Sequence, residues 1–451
     1  MRVQPPPAEG FEIEVPVLII GAGACGMVAA LSATEAGGEV LVVEADAVPS
    51  GSTALSAGLI PAAGTRAQAA AGIEDDPERF AEDIQRKAKG ENPQGLVNLL
   101  AAHAATVMDW LGERFGLPFS VVTDFDYPGH SRRRMHGLPT RAGRELVDRL
   151  RATCESQGID IVCNRRATIL YRDGDRIVGA EVGGERIGCD ALILACNGFG
   201  GNREMVGRFM PEIGDAIWFG HDGNTGDAVE WGEALGAQTL HLGAYQGHGN
   251  VATPHGILIT WAVITQGGVQ VNRDGERFWD ESQGYSEAAR AVLAQPGGTA
   301  WTVFDERTAG VARQFQDFKD AEAAGAIRSG DTVEALAEAC GLPALVETMD
   351  AIPAAGVDAF GRRFAGHALA PPYHAVKVTG ALFHTQGGLN ISQEARVLRK
   401  DGVAFPNLFA AGGAAVGVSG TGDSGYLSGN GLLSAVVLGF IAGREAASGV
   451  G

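Results

Sequence analysis

A single tyrosine stands on a glycine-rich bend late in the chain. Tyr426 lies within SGYLSGNGLLSAVVLGF, residues 424–440, and is followed by an apolar run. A phenol can donate a hydrogen bond to a carbonyl oxygen or transfer a proton, and glycines let a backbone lie close to a ligand. This stretch is therefore a candidate component of a catalytic site at the start of a buried helix.

A second stretch has the spacing of a phosphate-binding loop. The segment GAGACG follows an apolar run, opens a helical pattern and precedes a strand that ends at Glu44. Gly21 allows the tight turn, Gly23 lets a pyrophosphate approach the backbone, and Gly26 lets helix and strand pack closely. Glu44 lies where an acid binds ribose hydroxyls. These elements in register predict a dinucleotide-binding unit; the alternative is a glycine-rich turn in an unrelated α/β fold.

This fingerprint occurs once, and other glycine-rich stretches lie far from it in sequence. SGSTALSAG (residues 50–58) follows Glu44, whereas AAGGAAVG and SGNG lie near the other end of the chain. A cofactor that contacts such distant segments must be long and buried, which favours FAD over a dissociable nicotinamide. No second fingerprint marks NAD(P)H as an electron partner, so the electron acceptor stays open.

The elements that must position these residues divide into several segments. Buried strands and helical patterns fill residues 15–239, and residues 1–14 are predicted to be an N-terminal tail. Over residues 240–372 Trp and Phe become more frequent and alternating strands appear, whereas residues 373–451 return to strand and glycine signals. We predict an α/β fold: a Rossmann-like FAD-binding domain interrupted by an inserted α+β capping domain.

Composition and charge exclude several classes of function. A net charge of −19 over 451 residues argues against nucleic acids and anionic membrane surfaces as partners. The six cysteines form no CxxC pair and no zinc-type spacing, as expected of reduced thiols in a cytoplasm. The first residues do not have a signal-peptide pattern, and the apolar run 432–442 is about half as long as a membrane span. We expect a soluble, cytoplasmic protein without a metal.

The chain resembles a known superfamily in the order of its motifs. After the fingerprint come SGSTALSAG, LILACNGFGGNREM, NTGDAVEWGEALGA, VNRDGERFWDES, HTQGGLNISQEARVL and FPNLFAAGG. This order is similar to that of the fumarate reductase and 3-ketosteroid dehydrogenase flavoproteins, over residues 15–443. The resemblance implies FAD, and hydride transfer between flavin N5 and a carbon next to an activating group. Ser52 and Thr53 stand where membrane-bound members carry a flavin-linked histidine, which implies non-covalent FAD.

The fingerprint and the resemblance together predict the residues at the cofactor. They are Gly21, Gly23, Ala24, Cys25, Gly26, Glu44, Ala45, Gly51, Ser52, Thr53, Ser56, Ala57, Gly58, Ala167, Cys196, Asn197, Gly198, Asp227, His384, Gly412, Gly413, Gly431, Leu432 and Leu433. The helix that begins near Gly431 is expected to direct its N-terminal amides at the N1/O2 edge of the flavin. His384 is expected beside the flavin, with a hydrogen-bonded structural histidine as the alternative.

Two tyrosines occupy positions at which fumarate reductases carry functional arginines. Tyr285 replaces the catalytic arginine after the VNRDGERFWDES motif, and Tyr426 replaces an arginine that binds a substrate carboxylate. An arginine pair clamps a dicarboxylate, whereas two phenols cannot neutralise one and suit a neutral carbonyl compound. At these positions the chain is therefore most similar to the 3-ketosteroid dehydrogenases, which place a tyrosine at each.

The same resemblance implies roles for the candidate catalytic residues. Tyr426 and the backbone amide of Asn430 would polarise a ketone oxygen, and Tyr285, assisted by Ser428, would move the α-proton while flavin N5 takes the β-hydride. A further tyrosine of the family corresponds to Tyr127. The implied reaction is α,β-desaturation of a small-molecule ketone, of 3-ketosteroid or cyclohexanone type.

Other interpretations remain open from the sequence alone. Either tyrosine could be a packing residue, and the runner-up function is a fumarate-reductase-like ene-reductase that works in the opposite direction on an activated alkene. A non-catalytic flavin-binding protein is a third candidate. The basic stretch SRRRMHGLPTR contains Arg132, Arg133 and Arg134 and is predicted to be a solvated loop, or else a site for an anionic tail on a cyclic ketone.

Overall fold

The structure is a computed structural model that describes residues 2–123, 127–366 and 368–449. The chain forms two compact units. Unit 1 comprises Met1–Met210, Gly220–Tyr245 and His384–Gly451, and unit 2 comprises Pro211–Phe219 and Gln246–Phe383. Unit 2 is therefore inserted into the sequence of unit 1.

Strands occur throughout both units. In chain order they are β1 Arg2–Gln4, β2 Ile13–Ile20, β3 Val40–Val43, β4 Ile60–Pro61, β5 Ser120–Val121, β6 Met135–Gly137, β7 Asp160–Val162, β8 Ala167–Asp173, β9 Arg176–Val182, β10 Glu185–Leu194, β11 Ile217–Trp218, β12 Thr239–Leu240, β13 Tyr245–Ala252, β14 Ile257–Leu258, β15 Val269–Val271, β16 Thr299–Asp305, β17 Ile327–Gly330, β18 Ala355–Val357, β19 Arg363–Ala365, β20 Tyr373–Thr385, β21 Gly388–Leu389, β22 Arg396–Leu398 and β23 Ala404–Ala410.

Helices alternate with these strands. The α-helices are α1 Ala24–Glu35, α2 Gly51–Ala54, α3 Arg66–Ala70, α4 Pro77–Lys87, α5 Gln94–Phe115, α6 Gly143–Ser156, α7 Arg203–Phe209, α8 Asp227–Leu235, α9 Ala262–Thr265, α10 Tyr285–Leu293, α11 Glu306–Ala312, α12 Gln316–Ala323, α13 Val333–Cys340, α14 Leu345–Asp350 and α15 Asn430–Ser448. Short 3-10 turns lie at Pro211–Ile213, Glu281–Gln283, Pro296–Gly298 and Gly412–Ala414.

The main sheet of unit 1 has the strand order β1-β8-β9-β10-β2-β3-β7, with β23 also paired to β10. Strand β2 pairs in parallel with β3 on one side and β10 on the other, so that Ile19 lies opposite both Val42 and Ile193. These three side chains are fully buried, which explains the continuous apolar runs of a parallel sheet covered on both faces. The predicted α/β class is confirmed.

Helix α15 packs against α1 in the core of unit 1. A Cβ at Gly439 would lie 2.5 Å from Cys25 O, and a Cβ at Gly443 would lie 2.1 Å from Ala29 O. These glycines therefore allow the two helix backbones to approach closely. By length and composition alone α15 could cross a membrane, but 61% of its most apolar window is buried within the protein. The burial is that of a core helix.

Unit 2 is built on an antiparallel sheet with the order β14-β13-β20-β16-β15, and β11 and β17 also pair with β20. The β16–β20 ladder runs from Thr299 opposite Thr379 to Asp305 opposite Tyr373. Helices α10, α11 and α12 contribute to an apolar core around Phe304. This is the inserted α+β domain that the sequence predicts.

Several boundaries differ from those expected from the sequence. Residues Arg2–Gln4 of the predicted tail form β1, which pairs in parallel with β8 and adds an edge strand. Unit 2 runs from Gln246 to Phe383 instead of residues 240–372, and it also includes Pro211–Phe219 because β11 pairs with β20. Strand β20 continues through residue 383, so no turn signal marks that boundary.

Candidate flavin site and catalytic residues

A tight glycine turn joins β2 to α1. Gly21 has a φ of +107°, and a Cβ there would lie 2.5 Å from Ala195 O. A Cβ on Gly26 would lie 1.8 Å from Gly21 O. Neither position admits a side chain without moving the backbone, as a phosphate-binding turn requires. The start of α1 places the positive end of its helix dipole at this turn.

Glu44 braces the turn from the end of β3. Its Oε2 accepts a hydrogen bond from Ala22 N at 2.8 Å, and its Oε1 accepts one from Asp46 N at 2.9 Å. A carboxylate offers about four acceptor positions, so acceptor capacity remains for ribose hydroxyls. Glu44 thus lies against the glycine turn, and its contact with a ribose stays a prediction.

The segment around α2 links the turn to the residues after β10. Thr53 Oγ1 accepts from Ala24 N at 3.1 Å. Ser52 Oγ accepts from Asn197 Nδ2 at 3.0 Å and from Asn224 Nδ2 at 2.8 Å. The two hydroxyls that stand at the GST stretch therefore connect distant parts of unit 1.

A third glycine-rich segment packs against the same residues. A Cβ on Gly413 would lie 2.1 Å from Asn197 Oδ1, and a Cβ on Gly412 would lie 3.3 Å from Cys25 Sγ. Asn197 adopts a φ of +64°, and its Oδ1 accepts from Gly198 N at 2.8 Å. Segments that are up to several hundred residues apart thus converge on one region of unit 1.

Asp227 and Ala167 lie on adjoining elements of this region. Asp227 starts α8 and forms a 2.8 Å ion pair with Arg166, which precedes Ala167 at the start of β8. Burial raises the pKa of the Asp227 carboxyl, although the hydrogen bond from Thr225 and the charge of Arg166 act in the opposite direction.

Not all of the predicted cofactor residues have contacts that join them to the turn. Ser56 O accepts from Gly143 N at 2.8 Å, and a Cβ on Gly58 would lie 2.9 Å from Ala142, so both contact the start of α6. The side chain of Leu433 is fully buried in the core of unit 1, which leaves only its backbone for a ligand.

The residues of unit 1 fit FAD. The glycine turn leaves the backbone accessible at Gly23 and Gly51, where a Cβ would meet no atom closer than 3.5 Å. Glu44 retains acceptor capacity for a ribose, and the start of α1 favours the pyrophosphate charge. The turn, Glu44 and the Ser52–Asn197 pair are the groups that would hold the cofactor.

Tyr426 lies on the bend that leads into α15. Its side chain is 7% exposed, and burial raises the pKa of the phenol to about 12, while hydrogen bonds from the backbones of Gly431 and Gly429 act in the opposite direction. Gly429 precedes the helix with a φ of +87°, and a Cβ there would lie 2.6 Å from Pro61 Cδ. A phenol oxygen that accepts amide hydrogen bonds becomes a stronger donor through its own proton.

The backbone amide of Asn430, which was predicted to polarise a ketone oxygen, has a partner within the bend itself. Asn430 N donates to Leu427 O at 3.0 Å and so closes the bend before α15. The Asn430 side chain donates to Val418 O at 3.0 Å, and its Oδ1 is buried with no partner among the residues that the structure describes. The backbones that hydrogen-bond to the phenol are those of Gly431 and Gly429, on either side of Asn430.

Ser428 is buried on the same bend, against the segment that contains Tyr127. The Ser428 carbonyl accepts from His130 Nε2 at 2.9 Å, and burial lowers the pKa of His130 to about 4. A Cβ on Gly129 would lie 2.7 Å from Leu427 Cδ1. Tyr127 itself packs against a small apolar cluster, so the structure brings it near the bend.

His384 lies beside Tyr426. Their ring centroids are 5.3 Å apart with an interplanar angle of 76°, and a Cβ on Gly431 would lie 3.3 Å from His384 Nε2. Burial lowers the pKa of His384 to about 4, so the ring is neutral at neutral pH. The sequence places these residues far apart, and the fold brings them to the amino end of α15.

The prediction of a solvated basic loop is wrong for Arg134. Its side chain is fully buried, and it forms a bidentate pair with Asp75, with 2.9 Å between Nε and Oδ2 and 2.9 Å between Nη2 and Oδ1. It also pairs with Asp83 and stacks on the Phe80 ring. Arg132 is exposed, as expected of a loop. One arginine of the run is thus a core residue, because a buried carboxylate pair lies opposite it.

Tyr285 lies in unit 2 as the first residue of α10. Its ring stacks on His248 with 5.1 Å between centroids, and His248 stacks in turn on Phe383 at 5.3 Å. Trp261 meets both His248 and Tyr285 edge-on. Burial lowers the pKa of His248 to about 3, and its Nδ1 has no partner among the described residues. Unit 2 therefore places Tyr285 in a neutral aromatic cluster.

Comparison with known proteins identifies the family. A family model described as an FAD-binding domain matches residues 16–432. The chain belongs to this family. A probable fumarate reductase, Ifc3, of Shewanella frigidimarina is 35% identical, over 99% of this chain and 77% of that protein. The structure of the open conformation of a flavocytochrome c3 fumarate reductase is also similar, with a TM-score of 0.84 and 34% identity over 98% of this chain and 80% of that one.

The protein is thus an FAD-dependent oxidoreductase of the fumarate reductase family. A 3-ketosteroid-Δ4-(5α)-dehydrogenase from Rhodococcus jostii RHA1 shares its fold, with a TM-score of 0.78 and 24% identity over 98% of this chain and 99% of that one. A 4-oxocyclohexanecarboxylate 2-dehydrogenase of Sinomonas cyclohexanicum is 25% identical, over 96% of this chain and 92% of that protein. The predicted superfamily and the predicted FAD are confirmed.

Sequence reasoning missed several polar residues of the site. Arg166, Asn224, Gln386 and Ser419 have hydrogen-bonding roles that depend on partners far away in sequence. Gln386 stands two residues after His384 in HTQGG, and this proximity was the one local signal that could have drawn attention to it.

Proposed function

We propose that the protein is an FAD-dependent dehydrogenase that desaturates a cyclic ketone, of 3-ketosteroid or cyclohexanone type, to an α,β-unsaturated ketone. The observation that carries the proposal is the buried phenol of Tyr426 at the amino end of α15, next to a neutral His384. The motif resemblance implies that this phenol stands where fumarate reductases carry an arginine that binds a carboxylate. A neutral donor suits a neutral carbonyl oxygen better than a dicarboxylate.

The reaction needs a donor to the ketone oxygen, an acceptor for the hydride and a group that removes the α-proton. Tyr426 donates to the carbonyl oxygen, and this lowers the energy of an enolate-like transition state. Bound FAD supplies the acceptor for the β-hydride. Removal of the α-proton, the role that the family resemblance implies for Tyr285, typically contributes about 10²–10⁴-fold to the rate.

The cluster around Tyr285 supports an apolar, flat substrate. His248, Phe383 and Trp261 surround the phenol with rings, and His248 is uncharged at neutral pH because burial lowers its pKa to about 3. These rings carry no charge with which to neutralise a carboxylate. Similarity to the 4-oxocyclohexanecarboxylate 2-dehydrogenase also favours a cyclic ketone. The exposed Arg132 and Arg133 are candidates for binding an anionic tail of such a ketone.

The alternative is an ene-reductase that runs the same hydride step in the opposite direction. Similarity to fumarate reductases favours it, whereas the replacement of both arginines by tyrosines disfavours fumarate itself. We place either activity in the cytoplasm, with an external electron acceptor.

Steady-state turnover with an artificial electron acceptor tests the proposal. The panel contains 3-ketosteroids, cyclohexanones and 4-oxocyclohexanecarboxylate, and we expect reduction of the acceptor with at least one of them. In the reverse assay, enones or fumarate are added to the anaerobically reduced enzyme, and flavin reoxidation is followed by absorbance. Turnover only with fumarate, and with no ketone, would refute the proposal in favour of the ene-reductase.

A further inference from the structure

A chain of buried polar side chains leads from α15 to His384. Asn430 Nδ2 donates to Val418 O at 3.0 Å and lies 3.4 Å from Ser419 Oγ. The Ser419 hydroxyl lies 2.7 Å from Gln386 Oε1, and Gln386 Nε2 lies 2.7 Å from His384 Nδ1. The side chains of Asn430, Ser419 and Gln386 are all buried, so these partners, and not bulk water, decide where each proton lies.

Carbonyl groups determine the direction of these hydrogen bonds, because a carbonyl oxygen only accepts. Because Val418 O can only accept, the Asn430 side-chain atom that faces it must be the NH₂ nitrogen. The same nitrogen is then also a donor toward Ser419 Oγ. The Ser419 hydroxyl directs its single proton to Gln386 Oε1. At the other end of the glutamine, Thr385 O lies 3.3 Å from Gln386 Nε2. Thr385 O therefore selects the orientation with the NH₂ group of Gln386 toward the histidine, and the Ser419 hydroxyl donates to the oxygen at the other end.

This orientation determines which ring nitrogen of His384 carries the proton. Gln386 Nε2 is a donor at 2.7 Å, so His384 Nδ1 accepts, and a neutral ring then has its proton on Nε2. Thr385 O lies 3.4 Å from Nδ1 and would favour the other tautomer. That distance is long, and a proton on Nδ1 would face the NH₂ group of Gln386. The shorter contact therefore decides in favour of Nε2–H.

The protonated nitrogen lies at the amino end of α15. A Cβ on Gly431 would lie 3.3 Å from Nε2, and the ring packs edge-to-face on Tyr426. Tyr426 is the titratable side chain in contact with the ring, and burial raises the pKa of its phenol to about 12. Burial also lowers the pKa of His384 to about 4, and no charged side chain of the described residues contributes to that shift. Two neutral donors thus stand side by side.

We infer that Gln386 is a positioning residue that holds His384 as an Nε2–H donor, which shares the carbonyl oxygen of the substrate with Tyr426. The tautomer follows from the hydrogen bonds of unit 1 alone, whereas the shared carbonyl oxygen rests on the proposed function. A neutral imidazole N–H stabilises a developing oxyanion without giving up its proton. Gln386 acts through the histidine.

Nitrogen-15 NMR of the FAD-loaded enzyme tests the tautomer directly. In protein labelled with ¹⁵N-histidine, the protonated and unprotonated nitrogens of a neutral ring give separate signals, and a His384→Gln variant assigns those of His384. We expect the proton on Nε2. A proton on Nδ1 overturns the inference whether or not the enzyme oxidises ketones. If the wild-type enzyme oxidises no ketone, the proposed function is refuted. The spectrum still decides which tautomer His384 adopts.

Gln386→Glu reverses the hydrogen bond, because a carboxylate accepts where the amide donates. We expect the proton to move to Nδ1, the pKa of His384 to rise by about 1–3, and ketone turnover to gain a new acidic limb. Gln386→Met, which only removes the bond, is expected to give a mixture of tautomers. Gln238→Glu is the matched control, since it adds the same charge at a glutamine that pairs with Asn390.

Two results would overturn the inference. His384 signals that do not change in Gln386→Glu would show that the glutamine does not determine the tautomer. A changed tautomer with an unchanged pH profile of turnover would show that His384 has no contact with the reacting carbonyl. The Gln238→Glu control is expected to leave both the signals and the profile as in the wild type.

Discussion

Replacement of Tyr426 by phenylalanine is the sharpest test of the proposed chemistry. The change removes one oxygen from a buried side chain and keeps the ring that packs against His384. Loss of a single donor to a developing oxyanion costs about 10²–10³ in kcat, or about 2.7–4 kcal/mol. Loss of the acceptor for the Gly429 and Gly431 amides is a separate effect on folding, of about 1–3 kcal/mol.

The assay separates these two effects. Turnover of the best ketone is measured as kcat and KM with an artificial acceptor, flavin content by absorbance, and the free energy of unfolding with urea. Tyr171→Phe is the matched control, because Tyr171 is buried in β8 of the same unit and belongs to no candidate site. We expect a large fall in kcat for Tyr426→Phe with flavin retained, and none for Tyr171→Phe. If Tyr426→Phe kept the kcat of the wild type, the phenol would have no role in the reaction and the reasoning would be refuted.

Further predictions concern the second tyrosine, the buried ion pairs, the glycine turn and pH. Tyr285→Phe should lower kcat by about 10²–10⁴-fold if its phenol moves the α-proton, and an unchanged kcat would exclude that role. Arg134→Met should lower the free energy of unfolding by about 3–5 kcal/mol, because it leaves buried carboxylates unpaired. Arg132→Met, at the exposed neighbour, should change that free energy by less than about 1 kcal/mol. Equal urea midpoints for the two variants would contradict this prediction. Gly26→Ala should abolish FAD binding, as judged by absorbance of the purified protein, because its Cβ would lie 1.8 Å from Gly21 O. The free energy of unfolding should fall as the pH drops from about 6.5 toward 4, because histidines with lowered pKa stay neutral when folded but take up protons when unfolded; a flat profile of melting temperature over this window would count against it. The histidines concerned are His130, His136, His241, His248 and His384.

Features with a local cause were predictable from the sequence. The GAGACG turn, the apolar run before it and Glu44 after it depend on strand and helix periodicity and on glycines that lie within a few residues of each other. The position of Tyr426 on a glycine bend ahead of a buried helix is local in the same sense. For these features the sequence already predicts the elements and their order, and the structure adds the distances between atoms.

Other features depend on partners that are distant in sequence. The amide of Asn430 was expected at the ketone, but it donates to Leu427 O, and composition does not reveal which carbonyl a given amide meets. Arg134 looks like its exposed neighbours in the run RRR, and it is buried only because Asp75 and Asp83 lie opposite it. Pattern alone assigns charged runs to solvent, since it contains no information on where a counter-charge will be.

The sequence by itself thus determined the α/β class, the FAD and the position of a phenol on a glycine bend ahead of a buried helix, because these reside in residue type and short-range spacing. Tertiary structure alone decided which amide meets that phenol and which nitrogen of His384 carries the proton. The tautomer depends on the Ser419–Gln386 pair, whose members are 33 residues apart in sequence and 2.7 Å apart in the fold. The direction of a buried hydrogen bond is set by the geometry of its partner, and that geometry exists only once the chain has folded.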